Sequence, residues 1–214
     1  MAQEIIRNDT VDKSGIDLLK KLKGCRLENI FVDFCFCKSE EAIPDYEWVS
    51  HIFFKTYDND QLFYLRSVLE DESGDKDEYF KFDISECEKE KMNMKYYLMK
   101  TDANKNPVLD KIEDYKWHEI KVDGKIESIH IYRDNATWSY NGTDWDITTD
   151  VAIKIVGDNF KCLFVLQDTL FSFVSVHFNY VEEDNDLINK FWKKTKWGFK
   201  CEGVASLNRQ RFEI

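Results

Sequence analysis

The sequence predicts an α+β fold dominated by antiparallel β-sheet, with a few short helices packed on or beside it. Three observations predict it. Apolar residues alternate in short runs: Ile30, Val32, Phe34 and Phe36 fall on one face, and Phe31, Asp33, Cys35 and Cys37 on the other. Turn signals separate the runs, at Asp58-Asn59-Asp60, Asn141-Gly142 and Gly157-Asp158-Asn159. Hydrophobic residues make up 43 % of the 214 positions and aromatics 15 %, enough to fill a core without metal or disulfide support.

The first element predicted is a helix over 14–23. Ser14 caps it, Ile16, Leu19 and Leu22 recur at helical spacing, and Lys20, Lys21 and Lys23 suit its C-terminal dipole before Gly24 stops it. Strands follow over 27–37 and 48–57. In the second, Val49, His51 and Phe53 share one face, and Ile52 and Phe54 the other. Residues 62–65 return as the partner strand of a hairpin. The acidic run over 70–78 reads as a solvated loop, 79–82 as a strand, 85–92 as a short helix and 96–99 as a strand. Residues 102–107 are a connection and the best boundary between halves.

Strands over 126–132, 138–140, 148–156, 160–166 and 171–178 are predicted beyond it. Asn141-Gly142 makes the tightest hairpin signal, because its turn favours positive φ at both residues. An acidic run over 182–186 leads into a helix over 187–192, followed by Lys193, Lys194 and Lys196, and 209–214 reads as an edge strand.

The two halves resemble each other. Gly24-Cys25-Arg26-Leu27-Glu28-Asn29-Ile30 parallels Gly124-Lys125-Ile126-Glu127-Ser128-Ile129, and Asp45-Tyr46-Glu47-Trp48 parallels Asp144-Trp145-Asp146. The expectation is a single compact β-rich domain over 1–214. Within it, an internal duplication spans about 14–100 and 108–180, with a C-terminal extension over 181–214.

A net charge of −11 repels phosphate backbones and anionic lipid, which argues against nucleic-acid and membrane partners and for a basic protein partner. The first residues lack the basic and apolar regions of a secretion signal. The longest apolar run, over 162–166, is far short of a membrane span, so a cytoplasmic location is expected. There the six cysteines stay reduced. With no CxxC pair they read as small buried hydrophobes rather than zinc ligands.

No nucleotide-binding, hydrolase-elbow, zinc-protease or calcium-loop motif is present, so no catalytic residue and no cofactor is assigned. His51, His118, His130 and His177 read as hydrogen-bonded strand residues. The densest cluster is Asp144, Asp146 and Asp150, whose even spacing places them on one strand face. With Trp138, Tyr140 and Trp145 around the Asn141-Gly142 turn, they form a candidate partner-binding surface, since aromatic residues anchor interfaces and carboxylates steer a basic partner.

In size, acidity and the segment over 144–166, the chain resembles the bacterial immunity proteins that neutralise toxins. The resemblance implies a non-enzymatic cytoplasmic protein that covers a basic toxin, and it carries over no individual residue's role. Two alternatives stay open. One is a small-ligand carrier or sensor with a pocket lined by Phe164, Phe171 and Phe173. The other is a metal-dependent hydrolase using Asp144, Asp146, Asp150 and His130. The sequence leaves the oligomeric state open.

Overall fold

The computed structural model describes residues 3–33, 36–37, 45–57, 62–70, 79–87, 97–101, 107–111, 117–140, 142–168, 172–193 and 202–214. Its strands are β1 (Gln3–Asp9), β2 (Arg26–Val32), β3 (Phe36–Cys37), β4 (Asp45–Val49), β5 (His51–Thr56), β6 (Leu62–Glu70), β7 (Tyr79–Cys87), β8 (Tyr97–Thr101), β9 (Pro107–Lys111), β10 (His118–Tyr140), β11 (Thr143–Gly157), β12 (Lys161–Asp168), β13 (Ser172–Phe178) and β14 (Glu202–Glu213). The helices are α1 (Lys13–Leu22) and α2 (Asp184–Ile188), the latter running into a π-helical turn over Asn189–Lys193. The predicted β-rich α+β class is what the structure shows, and its pairings are antiparallel except β1 with β11.

Twelve strands form one sheet in the order β3-β4-β13-β12-β11-β10-β2-β5-β6-β7, with β1 added on β11 and β14 on β10. The sheet folds over on itself into two leaves. β10 belongs to both, pairing with β2 through its first residues and with β11 and β14 through the rest. Between the leaves Ile30, Val32, Ile52 and Phe54 meet Ile129, Ile131, Ile153 and Phe164 in one buried cluster. Phe54 and Phe164 touch edge to face, with ring centroids 5.4 Å apart. Leu19 and Leu22 of α1 pack into the same cluster.

Several predicted elements change. The cap of α1 is Asp12, whose Oδ1 accepts from the Gly15 N–H at 2.7 Å; Ser14 instead donates its hydroxyl to Asp12. Those hydrogen bonds hold the Asp12 carboxyl below its ordinary pKa. The predicted strand over 48–57 is two strands that part at Ser50, β4 pairing with β13 and β5 with β2 and β6. This switch lets Val49 join Ile52 and Phe54 in the core although strict alternation would oppose them. Ser85 to Cys87 are strand rather than helix, because they continue the long β6–β7 ladder. β1 and β9 were not expected. The turns at Asp58-Asn59-Asp60, the loop over 71–78, Phe171, Asn141 and residues 194–201 lie outside the described residues. Gly142 has φ +75°, the left-handed geometry the Asn-Gly signal calls for.

Each half contributes a meander, β2-β5-β6-β7 and β10-β11-β12-β13. The ladder of β2 with β5 slips by one residue between Leu27 and Asn29, and that of β10 with β11 between Ile126 and Ser128. The extra residue is a glutamate in both, Glu28 and Glu127.

Candidate functional site

β10 and β11 extend well past the two-leaved core, and β1 and β14 flank the extension. At the base of the extension the ladder slips once more, with Val151 as the extra residue between Ala152–Tyr132 and Asp150–Arg133. Beyond that bulge the β1–β11 and β11–β10 ladders are regular, so their side chains alternate between the two faces of a four-stranded ribbon, while the β10–β14 ladder shifts once more between Thr137 and Ser139. Thr137 pairs with Asp146 and Ser139 with Asp144 across β10 and β11. Glu4 stands beside Asp144 and Ile6 beside Asp146 on β1, and Ser206 stands beside Thr137 on β14.

All of these side chains share one face, and that face is exposed. Glu4, Asp144 and Asp146 make it acidic. Among the described residues it carries no lysine or arginine short of Arg133. An open depression of about 350 Å³ lies here, lined by Glu4, Thr137, Trp138, Ser139, Asp144, Trp145 and Asp146. The Ser139 hydroxyl donates to Asp144 at 2.5 Å. Ile6, on the β1 edge of this face, is 71 % exposed.

Trp138 and Trp145 are direct cross-strand partners on the opposite face, stacked with centroids 5.6 Å apart and planes 2° from parallel. They are half-buried against the core, and their positions in the strands also border the depression. Tyr140 ends β10 opposite Thr143. The site thus gathers Asp144 and Asp146, and separates the tryptophan rings from them.

Asp150 shares the carboxylates' face but not their exposure. It is fully buried, where Arg133 grips it through Nε at 2.7 Å and Nη2 at 3.0 Å and the Val11 N–H donates to it at 2.8 Å. Its carboxylate fastens the end of β1 to β11 and is committed to that task. His130 lies on the other face, hydrogen-bonded to Ser128, so it does not converge with Asp144, Asp146 and Asp150. Burial, then the charge of Arg211, lowers its pKa. Among the described residues no three His, Cys, Asp or Glu side chains are grouped to hold a metal ion. Phe164 fills the space between the leaves, and Phe173 sits on β13. Cys87 and Cys162 are buried, and burial pushes the Cys162 thiol well up in pKa.

Three polar clusters escaped the sequence reading. Arg209 of β14 forms a two-pronged pair with the fully buried Asp134, at 2.6 and 2.7 Å, and also donates to Asn189 at 2.9 Å. Asp33, just past β2, stands in one row with His51 of β5, Arg66 of β6 and Asp83 of β7, with His51 Nδ1 2.5 Å from Asp33 and Arg66 2.8 Å from Asp83. Each charged group in that row has a partner beside it. Nothing in the local sequence marks these contacts, which join residues between 17 and 75 positions apart.

The third cluster ties α2 to β10 and β11 on the core side of the Val151 bulge. Asp184 accepts from Lys154 at 2.7 and 2.9 Å, from the Tyr180 hydroxyl at 2.5 Å and from the Tyr132 hydroxyl. Burial alone raises the Asp184 carboxyl, but these hydrogen bonds and the Lys154 charge outweigh it and hold its pKa below the usual value. Burial and the same hydrogen bonds push both tyrosines upward. A carboxyl depressed in the folded state stabilises fully above its unfolded pKa of about 3.9, and the contribution is lost as pH falls through the folded value. Thermal unfolding followed against pH is therefore expected to show a loss of stability below about pH 4 that Asp184→Asn reduces. An unchanged acid limb in that variant would contradict the assignment.

Among the described residues no helix is long and apolar enough to cross a membrane. No protein-family model, curated protein or solved structure matches the chain.

Proposed function

We propose that the protein is a non-enzymatic binding module that docks a basic protein on the outer face of the β1-β11-β10-β14 ribbon. The observation that carries this reading is the exposed row of Glu4, Asp144 and Asp146 on a regular sheet face that, among the described residues, has no neighbouring cation. Opposite charge on a partner speeds encounter and fixes orientation, and a net charge of −11 extends the attraction beyond the face itself. The neutral hydroxyls of Thr137, Ser139 and Ser206 supply hydrogen-bonding groups at the same surface. A cytoplasmic immunity protein that covers a basic toxin is the concrete form of this function.

The ribbon sits on a frame that we read as two related meanders. Glu28 and Glu127 occupy equivalent bulges, and the strand break at Ser50 corresponds to the bulge at Val151.

Capture from the native cells tests the functional reading. The tagged protein is expected to retain a basic protein in stoichiometric amount at low salt and to release it as salt rises, because exposed charges are screened within about 8 Å at physiological ionic strength. A double reversal, Asp144→Lys with Asp146→Lys, is expected to lose that protein while unfolding at the wild-type temperature. Retention by the reversed protein contradicts the reading.

A further inference from the structure

We infer that the ribbon takes its basic partner as an added strand on the open edge of β1. This deepens the functional reading above and rests on it. Among the described residues β1 pairs only with β11, so the N–H and C=O groups of its other edge face outward as a template for another chain. Over Gln3–Asp9 β1 has no lysine, proline or bulge to blunt its edge, and its inward-facing charges, Arg7 and Asp9, pair with each other. Glu4, Ile6 and Asn8 alternate outward along it and are exposed. Arg7, its one cation, points to the other face and is engaged with Asp9 at 3.3 Å.

The opposite edge fits a basic strand less well. β14 carries Arg209 and Arg211, and Lys23 already caps its end through Glu213 and the Ile214 carbonyl, both at 2.8 Å. A strand laid on β1 lies about 4.8 Å from it. Its outward residues then stand directly beside Glu4 and Ile6, with Asp144 and Asp146 one strand further in and within reach of lysine or arginine. The occupant is thus an extended protein segment alternating cationic and apolar residues, whose cationic side chains all fall on the carboxylate face and lay their aliphatic stems along Ile6.

A nine-residue peptide alternating lysine and valine is the probe, compared with the same peptide methylated on alternate backbone nitrogens. Binding to the full chain is measured by titration, and protection of the β1 amides by hydrogen exchange. The inference expects salt-sensitive binding of the first peptide, slower exchange over residues 4–8, and affinity at least about tenfold weaker for the methylated peptide, since two or more backbone hydrogen bonds are removed. Equal binding of both without protection overturns strand addition and leaves docking by charge standing. Binding of neither overturns both.

Discussion

Arg209→Ala is expected to destabilise the protein by about 3–5 kcal/mol, because it leaves the fully buried Asp134 carboxylate without its cation. For a chain of this size that corresponds to a fall in Tm of roughly 6–20 °C. The cost comes from the stranded charge more than from the lost attraction. Replacing both residues by leucine is therefore expected to restore much of the loss, as apolar replacement of a whole buried pair commonly does. Thermal and denaturant unfolding of the single and double variants measure this directly. A single variant within about 1 kcal/mol of wild type would show that Asp134 is not held as described.

Arg133→Ala strands a second buried carboxylate, Asp150, and a loss of about 3–5 kcal/mol is again expected. Here the consequence is also local. Asp150 accepts from the Val11 N–H just past β1, and Arg133 lies over the Phe212 ring at 4.8 Å, so one guanidinium organises both flanking strands of the ribbon. Amide exchange in β1 is expected to quicken more than exchange in β5 or β12, which the pair does not touch. Uniform quickening across all strands would contradict a local role.

The core strands were legible because each carries its own alternating apolar face. Ile30, Val32, Ile52 and Phe54 announce inward positions without help from the rest of the chain. The long strands were not legible as wholes. β10 appeared as separate pieces because Asp123-Gly124 and the polar stretch Arg133-Asp134-Asn135 interrupt its apolar pattern. Its continuity comes from ladders to β2, β11 and β14, whose residues are distant in sequence. β1 escaped for the same reason: Glu4, Arg7, Asn8 and Asp9 read as polar terminus, and parallel pairing with residues 143–149 makes them a strand.

The site shows the same division. Even spacing put Asp144, Asp146 and Asp150 on one face, which the register shows. Spacing cannot tell how deep each lies. Asp150 sits where the ribbon enters the core and meets Arg133 across the ladder, whereas Asp144 and Asp146 lie beyond the bulge, in the open. Odd-numbered Trp145 necessarily falls on the other face, so an aromatic and acidic surface read from adjacency resolves into two faces with different roles.

One titration isolates the contribution of the exposed carboxylates Asp144 and Asp146. The basic protein captured at low salt is titrated against wild type and against Asp144→Lys with Asp146→Lys, at two salt concentrations. The double reversal is expected to weaken binding by at least about a hundredfold at low salt, corresponding to about 2.7 kcal/mol. Wild type is expected to lose affinity steeply as salt rises, while both proteins unfold at the same temperature. Equal affinity of the two proteins at low salt would contradict the functional reading, because a partner indifferent to these two charges does not dock on this face by charge.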